Sequence, residues 1–494
     1  MPPQRSIATN VAFNLLGQLA PAVAATLAMP WLLRGLGAER LGVLSLAWVA
    51  VGAFTLLDFG LGRALTLEVS RRRALGDESG LAPIVQGTVL VLATIGALLA
   101  AGLVVGRDAV MDALSIPATL RLEVAGALLG IAVAAPFMTV SAGLRGVLEA
   151  YGRFDLANGV RVPMGVLTYV GPAMVLPFTT SVAAAVAALT AARVAGTFAL
   201  YVLARRQLPG PQPWRVEAHH LRAVVTTGWW MNIAGLAGAA LAYVDRLVLG
   251  RFLSLAAIAF YSTPQELTGK LTVIPVALSG VLLPALGSAD ARGSSDVARL
   301  FSRGLTYTFL LLFPIAATGA AFAPEWLHLW LGPVFARESG RAVQWLLLSV
   351  VLQSLAITPL NLLQAVGRAH VTAWLQVAQL PLFIAGLLVA VPRYGIDGAA
   401  FVWAARMLVD VSSLLLVSSR HAAGAAALAP RWAVIVLSTT AWFVTVVALP
   451  STATRAALLL VAAVVFLASL PRLVGADDIA AWKTLLARRT GQAS

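Results

Sequence analysis

Charged side chains inside long apolar stretches are the residues of this sequence best placed to do chemistry. Arg193 lies near the middle of one such stretch, and Arg406 occupies the corresponding place in a later one. A charge at the centre of a bilayer costs about 2.5–3.5 kcal/mol on insertion scales, so it normally faces a protein interior or a wet cavity. Two arginines at related places would suit an anion site, because a guanidinium group matches phosphate and carboxylate oxygens.

Five further ionisable residues lie in or beside apolar stretches. Two are cations that could join an anion site, and three are carboxylates that could bind a coupling ion such as H⁺ or Na⁺: Arg246 and Lys270, and Asp245, Glu266 and Asp58. Asp245 and Arg246 are adjacent, so on a helix they point in different directions.

Local ion pairing is the structural alternative to a cavity role for several of these charges. Oppositely charged residues four apart share one face of a helix, and two pairs have this spacing: Glu266 with Lys270, and Arg406 with Asp410. Asp58 near an apolar boundary is better explained as an interfacial cap. Arg193 has no acidic residue at such a spacing, which favours a cavity role for it.

Amides and related polar groups also repeat along single helix faces. Such groups could hydrogen-bond sugar hydroxyls, or they could join helices at roughly 0.6–2 kcal/mol per bond, which is the commoner role. The pairs with helical spacing are Asn14 with Gln18, Asn361 with Gln364, and Gln376 with Gln379.

The composition places these residues in a membrane. The chain has 494 residues, of which 60% are hydrophobic and 11% are charged, whereas soluble domains carry about 25% charged residues. A bilayer span needs about 20 mostly apolar residues. Fourteen stretches meet this requirement: 11–33, 41–62, 82–105, 122–144, 162–180, 181–204, 223–250, 252–284, 304–324, 342–365, 371–392, 394–419, 432–450 and 456–474.

Cofactor chemistry is not expected. The chain has no cysteine, which excludes thiolate metal sites, iron–sulfur clusters and cysteine nucleophiles. LTGK at 267–270 resembles the end of a phosphate-binding loop, but Pro264 stands where that loop requires glycine. We therefore expect neither a bound metal nor ATP, and no connection is long enough to fold as a catalytic domain.

The distribution of basic residues predicts the orientation. With a cytoplasmic N-terminus, more than half of the 35 Lys and Arg residues fall in the connections on the inner side. This is the pattern of the positive-inside rule, and it also places the C-terminus in the cytoplasm. The net charge of +14 is therefore topological and does not indicate a nucleic-acid partner.

An internal repeat predicts the architecture. The stretch LEAYGRF at 148–154 returns as LQAVGRA at 363–369, and several other residues recur at the same offset of 215. We predict two parallel six-helix lobes related by a two-fold axis along the membrane normal, an arrangement typical of alternating access. The predicted divisions are an N-terminal lobe, a C-terminal lobe, an extra helix pair and a cytoplasmic tail, at 1–210, 211–425, 426–475 and 476–494.

Several stretches resemble the bacterial polysaccharide-biosynthesis flippases of the multidrug/oligosaccharidyl-lipid/polysaccharide exporter superfamily. They lie at 14–46, 56–65, 243–252, 363–370 and 394–400, and the resemblance runs over nearly the whole chain. It implies an all-α polytopic fold with a V-shaped cavity in the inner membrane. It also implies transfer of an undecaprenyl-diphosphate-linked oligosaccharide from the cytoplasmic to the periplasmic leaflet.

Other functions stay open at this stage. A cation-coupled multidrug or small-molecule exporter would prefer an acidic cavity, and the intramembrane charges here are nearly balanced. A flippase for a peptidoglycan lipid precursor is a variant of the first function. A membrane polysaccharide polymerase would need a large extracytoplasmic loop with catalytic residues, and no connection fits that requirement.

Overall fold

The structure is a computed structural model of the 494-residue chain. It describes residues 7–56, 61–74, 81–208, 241–279, 282, 286, 296–366, 368–421 and 428–473. Within these ranges the regular structure is helical. Sixteen α-helices are distinguished here: α1 Ile7–Leu56, α2 Leu61–Ala74, α3 Leu81–Val105, α4 Arg107–Ala113, α5 Arg121–Ala150, α6 Phe154–Val175, α7 Val182–Arg205, α8 241–252, α9 Leu255–Gly269, α10 273–279, α11 Asp296–Ala321, α12 Ala323–Leu331, α13 Pro333–Ala365, α14 Ala369–His421, α15 Ala429–Ala448 and α16 Thr452–Leu473. Two 3₁₀ turns, Ala118–Leu120 and Lys270–Thr272, precede α5 and follow α9.

The chain is a multi-pass membrane protein. Nine helices in the described part are long and apolar enough to cross a bilayer. The last of them, α16, leaves large apolar side chains such as Leu460 and Val464 on the surface, where lipid rather than water can cover them. The all-helical prediction is confirmed, whereas the count of fourteen spans stays a prediction.

Two of the spanning helices bend at a glycine. α1 continues through Gly37 (φ 73°, ψ 170°), and α14 continues through Gly395 (φ 58°, ψ −138°). At 1.5 Å per residue, the 53 residues of α14 would measure about 80 Å if straight, far more than the hydrocarbon thickness of about 30 Å. The bend at Gly37 falls in the predicted connection between the spans 11–33 and 41–62. The bend at Gly395 falls two residues after Arg393, the residue that separates the predicted spans 371–392 and 394–419.

The chain divides into two compact units. Unit 1 contains Met1–Lys270 and Gln376–Ala399, and unit 2 contains Leu271–Leu375 and Ala400–Ser494. The predicted division into two six-helix lobes and an extra pair follows the repeat instead, and it stays a prediction.

The repeated Gly–Arg phrase is accompanied by the same backbone hydrogen bond in both copies. After α5, the Arg153 N–H donates to the Leu148 carbonyl at 2.8 Å, and after α13 the Arg368 N–H donates to the Leu363 carbonyl at 2.7 Å. This hydrogen bond, between the first and the sixth residue of the segment, is characteristic of a Schellman C-cap. Gly152 has φ +70°, a left-handed conformation that glycine adopts without steric cost. The repeat in sequence is therefore also a repeat in local structure.

Packing within unit 1 uses small residues to bring helices close together. A Cβ atom on Gly42 of α1 would overlap the carbonyl oxygen of Leu255, the first residue of α9. Because lipid tails are as apolar as leucine, membrane helices associate through such close backbone approach more than through hydrophobic burial. This contact fixes α9 against α1, and α9 carries several of the predicted site residues.

Unit 2 is held together by aromatic side chains. Phe309 of α11 lies 6.4 Å from Trp432 of α15 and 6.0 Å from Phe466 of α16, measured between ring centroids. Such pairs contribute roughly 0.5–1.5 kcal/mol each beyond the area they bury. They attach α15 and α16, which contain the predicted extra helix pair, to α11.

Candidate functional site

The helices of unit 1 bring a group of charged and polar side chains together. α8 carries Asp245 and Arg246, and α9 begins where the Ser254 hydroxyl accepts a hydrogen bond from the Ala257 N–H at 3.2 Å. This cap satisfies one of the free donors of the first turn. Starting from it, the helix places Glu266 in its last turn, and Lys270 follows directly.

Glu266 is the centre of the first half of this group. Its Oε1 accepts from Arg246 Nη2 at 3.1 Å, and its Oε2 lies 3.7 Å from Lys270 Nζ. The Tyr169 hydroxyl of α6 donates to the same Oε2 at 3.2 Å and lies 3.4 Å from Lys270 Nζ. The pairing of Lys270 with Glu266 predicted from their spacing is thus present, but Glu266 also has a second cation.

Asp245 is the centre of the second half and is fully buried. Its Oδ2 accepts from the Tyr261 hydroxyl at 2.8 Å and from Gln265 Nε2 at 3.2 Å, and its Oδ1 accepts from the backbone N–H of Arg246 at 2.8 Å. Both oxygens therefore have donors, as a buried carboxylate requires. Adjacent residues of α8 thus serve different partners, as predicted for Asp245 and Arg246.

Arg193 of α7 lies beside this group without a carboxylate of its own. Its Nη2 donates to the Thr168 hydroxyl of α6 at 2.8 Å. Trp48 of α1 donates from Nε1 to the Thr168 carbonyl at 3.2 Å, and its ring centroid lies 5.1 Å from that of Tyr169. Among the residues that the structure describes, no carboxylate pairs with Arg193.

The charges in this group do not balance. Arg193, Arg246 and Lys270 are cations, and Asp245 and Glu266 are the carboxylates near them. In the part of the chain that is described, the buried Nε–H groups of both arginines have no acceptor. The side chains of Arg246, Glu266 and Lys270 are 6%, 24% and 32% exposed, respectively. The group therefore has excess positive charge and hydrogen-bond donors without acceptors, which suits an anionic ligand. It is most accessible to such a ligand at Lys270.

Arg406, the other predicted arginine, belongs to α14 in unit 2. Its guanidinium carbon lies 5.1 Å from the centroid of the Trp403 ring, within the range of a cation–π contact. Its predicted role as the counterpart of Arg193 in an anion site stays a prediction.

The remaining predicted residues are distributed as follows. Gln379 is buried, Gln376 is half-buried and Gln364 is exposed. Asn361 donates to the Ser279 hydroxyl at 2.6 Å, which is the helix-joining role. Asp58 lies outside the described residues, and Asn14 and Gln18 lie in a part of α1 whose side chains are not described.

An apolar cavity of about 800 Å³ opens between α3, α5 and α7. Its lining includes Pro136, Phe137, Ala195, Phe198 and Tyr201. Ala195 and Arg193 are two residues apart on α7 and so face roughly opposite sides of the helix. Arg193 does not line the cavity, although Thr197, one turn further along α7, does.

The neutral residues of the charged group carry little signal in the sequence. Tyr169 and Tyr261 are two of only seven tyrosines in the chain, and Tyr261 is four residues before Gln265. That spacing on one helix face could have indicated that Tyr261 and Gln265 share a hydrogen-bond acceptor. Thr168 and Trp48 carry no such signal, because their contacts depend on how the helices pack.

The fold is that of transporters of the MOP superfamily. A structure described as an inward-facing multidrug resistance MATE family transporter of this superfamily matches with a TM-score of 0.70 at 14% identity, covering 84% of this chain and 98% of the other. A MOP superfamily transporter from Pyrococcus furiosus, described as having a binding pocket of reverse polarity, matches with a TM-score of 0.59 at 14% identity over 83% and 93%.

The chain belongs to the family described as "Polysaccharide biosynthesis protein", whose model matches residues 7–289, more than half of its length. A Shigella flexneri protein named "Putative O-antigen transporter" is 26% identical over 422 residues, covering 84% of this chain and 98% of the relative. The resemblance identified from the sequence is therefore confirmed at the level of family and superfamily fold.

Proposed function

We propose that this protein is a flippase that moves an undecaprenyl-diphosphate-linked oligosaccharide from the cytoplasmic to the periplasmic leaflet, for the synthesis of a surface polysaccharide. The family membership and the relative named as an O-antigen transporter support a transport role and a glycan cargo. Both termini are cytoplasmic in this proposal, because the distribution of basic residues favours that orientation. The membrane is the bacterial inner membrane, as the family resemblance implies.

The observation that carries the proposal is the surplus of cations in unit 1. Arg193, Arg246 and Lys270 share only two carboxylates, and Arg193 pairs with neither of them. A diphosphate offers several charged oxygens to such donors. A cationic drug would be repelled by the same surplus, so the charge of the group favours an anionic cargo over the cargo of a multidrug exporter.

The lipid portion of the cargo needs no polar site. An isoprenoid chain is stable in the hydrocarbon region, so the protein has only to carry the diphosphate and the sugars past it. Alternating access would expose the charged group to one leaflet at a time. Asp245 and Glu266 are the carboxylates that we propose as binding sites for a coupling H⁺ or Na⁺.

Substitution of Arg193 tests the proposal most directly. Arg193→Ala should abolish flipping of the lipid-linked oligosaccharide in proteoliposomes while leaving membrane abundance normal, because it removes donors without leaving a carboxylate unpaired. Arg193→Lys should keep part of the activity, since lysine retains the charge but loses the planar fork. Arg406→Ala tests whether the related arginine of unit 2 takes part in the same way.

Abundance and flipping must be measured on the same preparations. If Arg193 only joins helices through Thr168, the alanine variant should lower the amount of folded protein, and flipping per folded molecule should stay near that of the wild type. Unchanged specific activity in both alanine variants would contradict the proposed role of these arginines.

A further inference from the structure

Glu266 occupies the position that an anionic ligand of Arg246 and Lys270 would take. Its two oxygens are divided between the cations, with Oε1 at 3.1 Å from Arg246 Nη2 and Oε2 at 3.7 Å from Lys270 Nζ. The Tyr169 hydroxyl contacts both Glu266 and Lys270. Carboxylate and phosphate groups present similarly spaced oxygens to such donors, so one group can replace the other.

A carrier needs a partner for these cations during every part of its cycle. Arg246 is almost completely buried, and an uncompensated charge there would be strongly unfavourable once the cargo had left. A carboxylate attached to the next helix meets this need without any dissociating ligand. The carboxylate also lowers the net positive charge of the empty site, so the protein can return to its starting conformation without cargo.

The three side chains differ in how easily they can exchange partners. The Lys270–Glu266 contact is the longer of the two, and Lys270 is the most exposed member of the group, while Arg246 is the least exposed. An incoming anion therefore meets Lys270 first, and Arg246 is the last cation to change its partner. Tyr169 can donate to either anion in turn, because a hydroxyl rotates to suit its acceptor.

We propose that Glu266 is a tethered counter-anion: it pairs with Arg246 and Lys270 when no cargo is bound, and the phosphate of the cargo displaces it on binding. The inference rests on the proposed function for the identity of the cargo, and on the geometry for the exchange itself. Glu266 then competes with the cargo, so it weakens binding and speeds release. Without that competition, the anion is held too tightly for rapid turnover.

Removing the charge of Glu266 while keeping its shape tests this exchange. The full-length protein in lipid nanodiscs is titrated with inorganic pyrophosphate at constant pH and ionic strength, and tryptophan fluorescence is recorded. Trp48 lies against Tyr169 and is the expected reporter, which Trp48→Phe verifies. Glu266→Gln should bind pyrophosphate about tenfold more tightly, equivalent to about 1.4 kcal/mol, and should flip the lipid-linked oligosaccharide more slowly.

Two further variants keep the test decisive. Glu149→Gln is the matched control, because Glu149 pairs with Arg145 at 3.6 Å on an exposed surface and should leave the affinity unchanged. Glu266→Asp keeps the charge but shortens the side chain, so the carboxylate competes less well and pyrophosphate binding should tighten by a smaller factor. If Glu266→Gln does not fold, the comparison is made with Glu266→Asp alone.

The outcomes separate the exchange from the identity of the cargo. Tighter pyrophosphate binding with slower flipping supports both proposals. Tighter binding in a protein whose wild type does not move the lipid-linked oligosaccharide supports the tethered counter-anion and overturns the proposed cargo. Unchanged or weaker pyrophosphate binding in the folded variants, or no binding to any of them, overturns the tethered counter-anion.

Discussion

Two ion pairs in this protein, each between a buried arginine and a partly exposed glutamate, have nearly the same length but different surroundings. In unit 1, Arg246 lies 3.1 Å from Glu266, and in unit 2, Arg455 lies 2.9 Å from Glu325. The side chains of the two arginines are 6% and 4% exposed. A buried ion pair alone would therefore not distinguish a functional group from a structural one.

The difference lies in the other partners of each pair. Arg455 has one carboxylate, and its remaining contacts are the Thr452 hydroxyl and the Ser451 carbonyl at the start of α16. Thr452 also donates to Glu325, which lies in the first turn of α12. The pair therefore joins two helix ends with one positive and one negative charge. Glu266, in contrast, serves two cations, and a third lies nearby.

This comparison suggests that charge balance, rather than burial, marks the functional group. A balanced pair at helix ends stabilises the fold and carries no net charge that would attract a further ion. A surplus of cations inside the membrane is costly and is expected to persist only where a ligand compensates it. The following variants test that distinction, beginning with the largest expected effect.

Glu325→Ala should cause the greatest loss of stability. It leaves the buried guanidinium of Arg455 without a counter-charge, and removal of one partner from a buried pair typically costs about 3–5 kcal/mol. We expect a lower melting temperature and reduced membrane abundance, with unchanged pyrophosphate affinity in the protein that remains folded. The double variant Glu325→Leu with Arg455→Met should recover much of the stability, and failure to do so would argue against a simple pairing role.

Arg246→Met should cost less stability but remove anion binding. Glu266 keeps Lys270 and Tyr169 as partners, so the loss should be about 1.5–3 kcal/mol, the usual value for one hydrogen bond to a charged group. Lys270→Met is the matched variant at the exposed end of the group, where the loss should be below about 1 kcal/mol. Thermal unfolding and pyrophosphate titration measure the two effects, and retained affinity in Arg246→Met would contradict the assignment of the site.

Gly152→Ala should lower stability less than Glu325→Ala or Arg246→Met does. Its φ of +70° is unfavourable for alanine by roughly 1–2 kcal/mol, and the turn contains no part of the charged group, so anion affinity should not change. Gly159→Ala is the control, because Gly159 lies exposed on α6 with no atom within 4 Å of an added Cβ. Equal melting temperatures for the two variants would show that the left-handed turn does not limit stability.

Local patterns in the sequence were sufficient to predict much of the fold. Apolar stretches predicted the helices, and the repeated Gly–Arg phrase makes the same backbone hydrogen bond in both copies, from Arg153 and from Arg368. The spacing of Glu266 and Lys270 predicted their contact. These features succeed because a helix fixes the distance between residues three or four positions apart.

Contacts between helices could not be predicted in the same way. Tyr169 lies 97 residues before Glu266 in the sequence, and Arg246 lies 20 residues before it. Their meeting depends on the crossing of α6, α8 and α9, which local spacing does not encode. Arg40 shows the same limit: it falls between the predicted spans 11–33 and 41–62, and its guanidinium group donates to both carboxylate oxygens of Glu123 of α5, a partner that local spacing does not indicate.

The glycine bends of α1 and α14 also bear on how the protein resists degradation. Proteases prefer exposed loop tips that can be drawn out into an extended strand. At Gly37 and Gly395 the backbone leaves the helical conformation at a single residue between two helical segments, so little extended backbone is available there for cleavage. On the predicted periplasmic side, these two turns should therefore remain intact under limited proteolysis of whole spheroplasts, even without a protective partner.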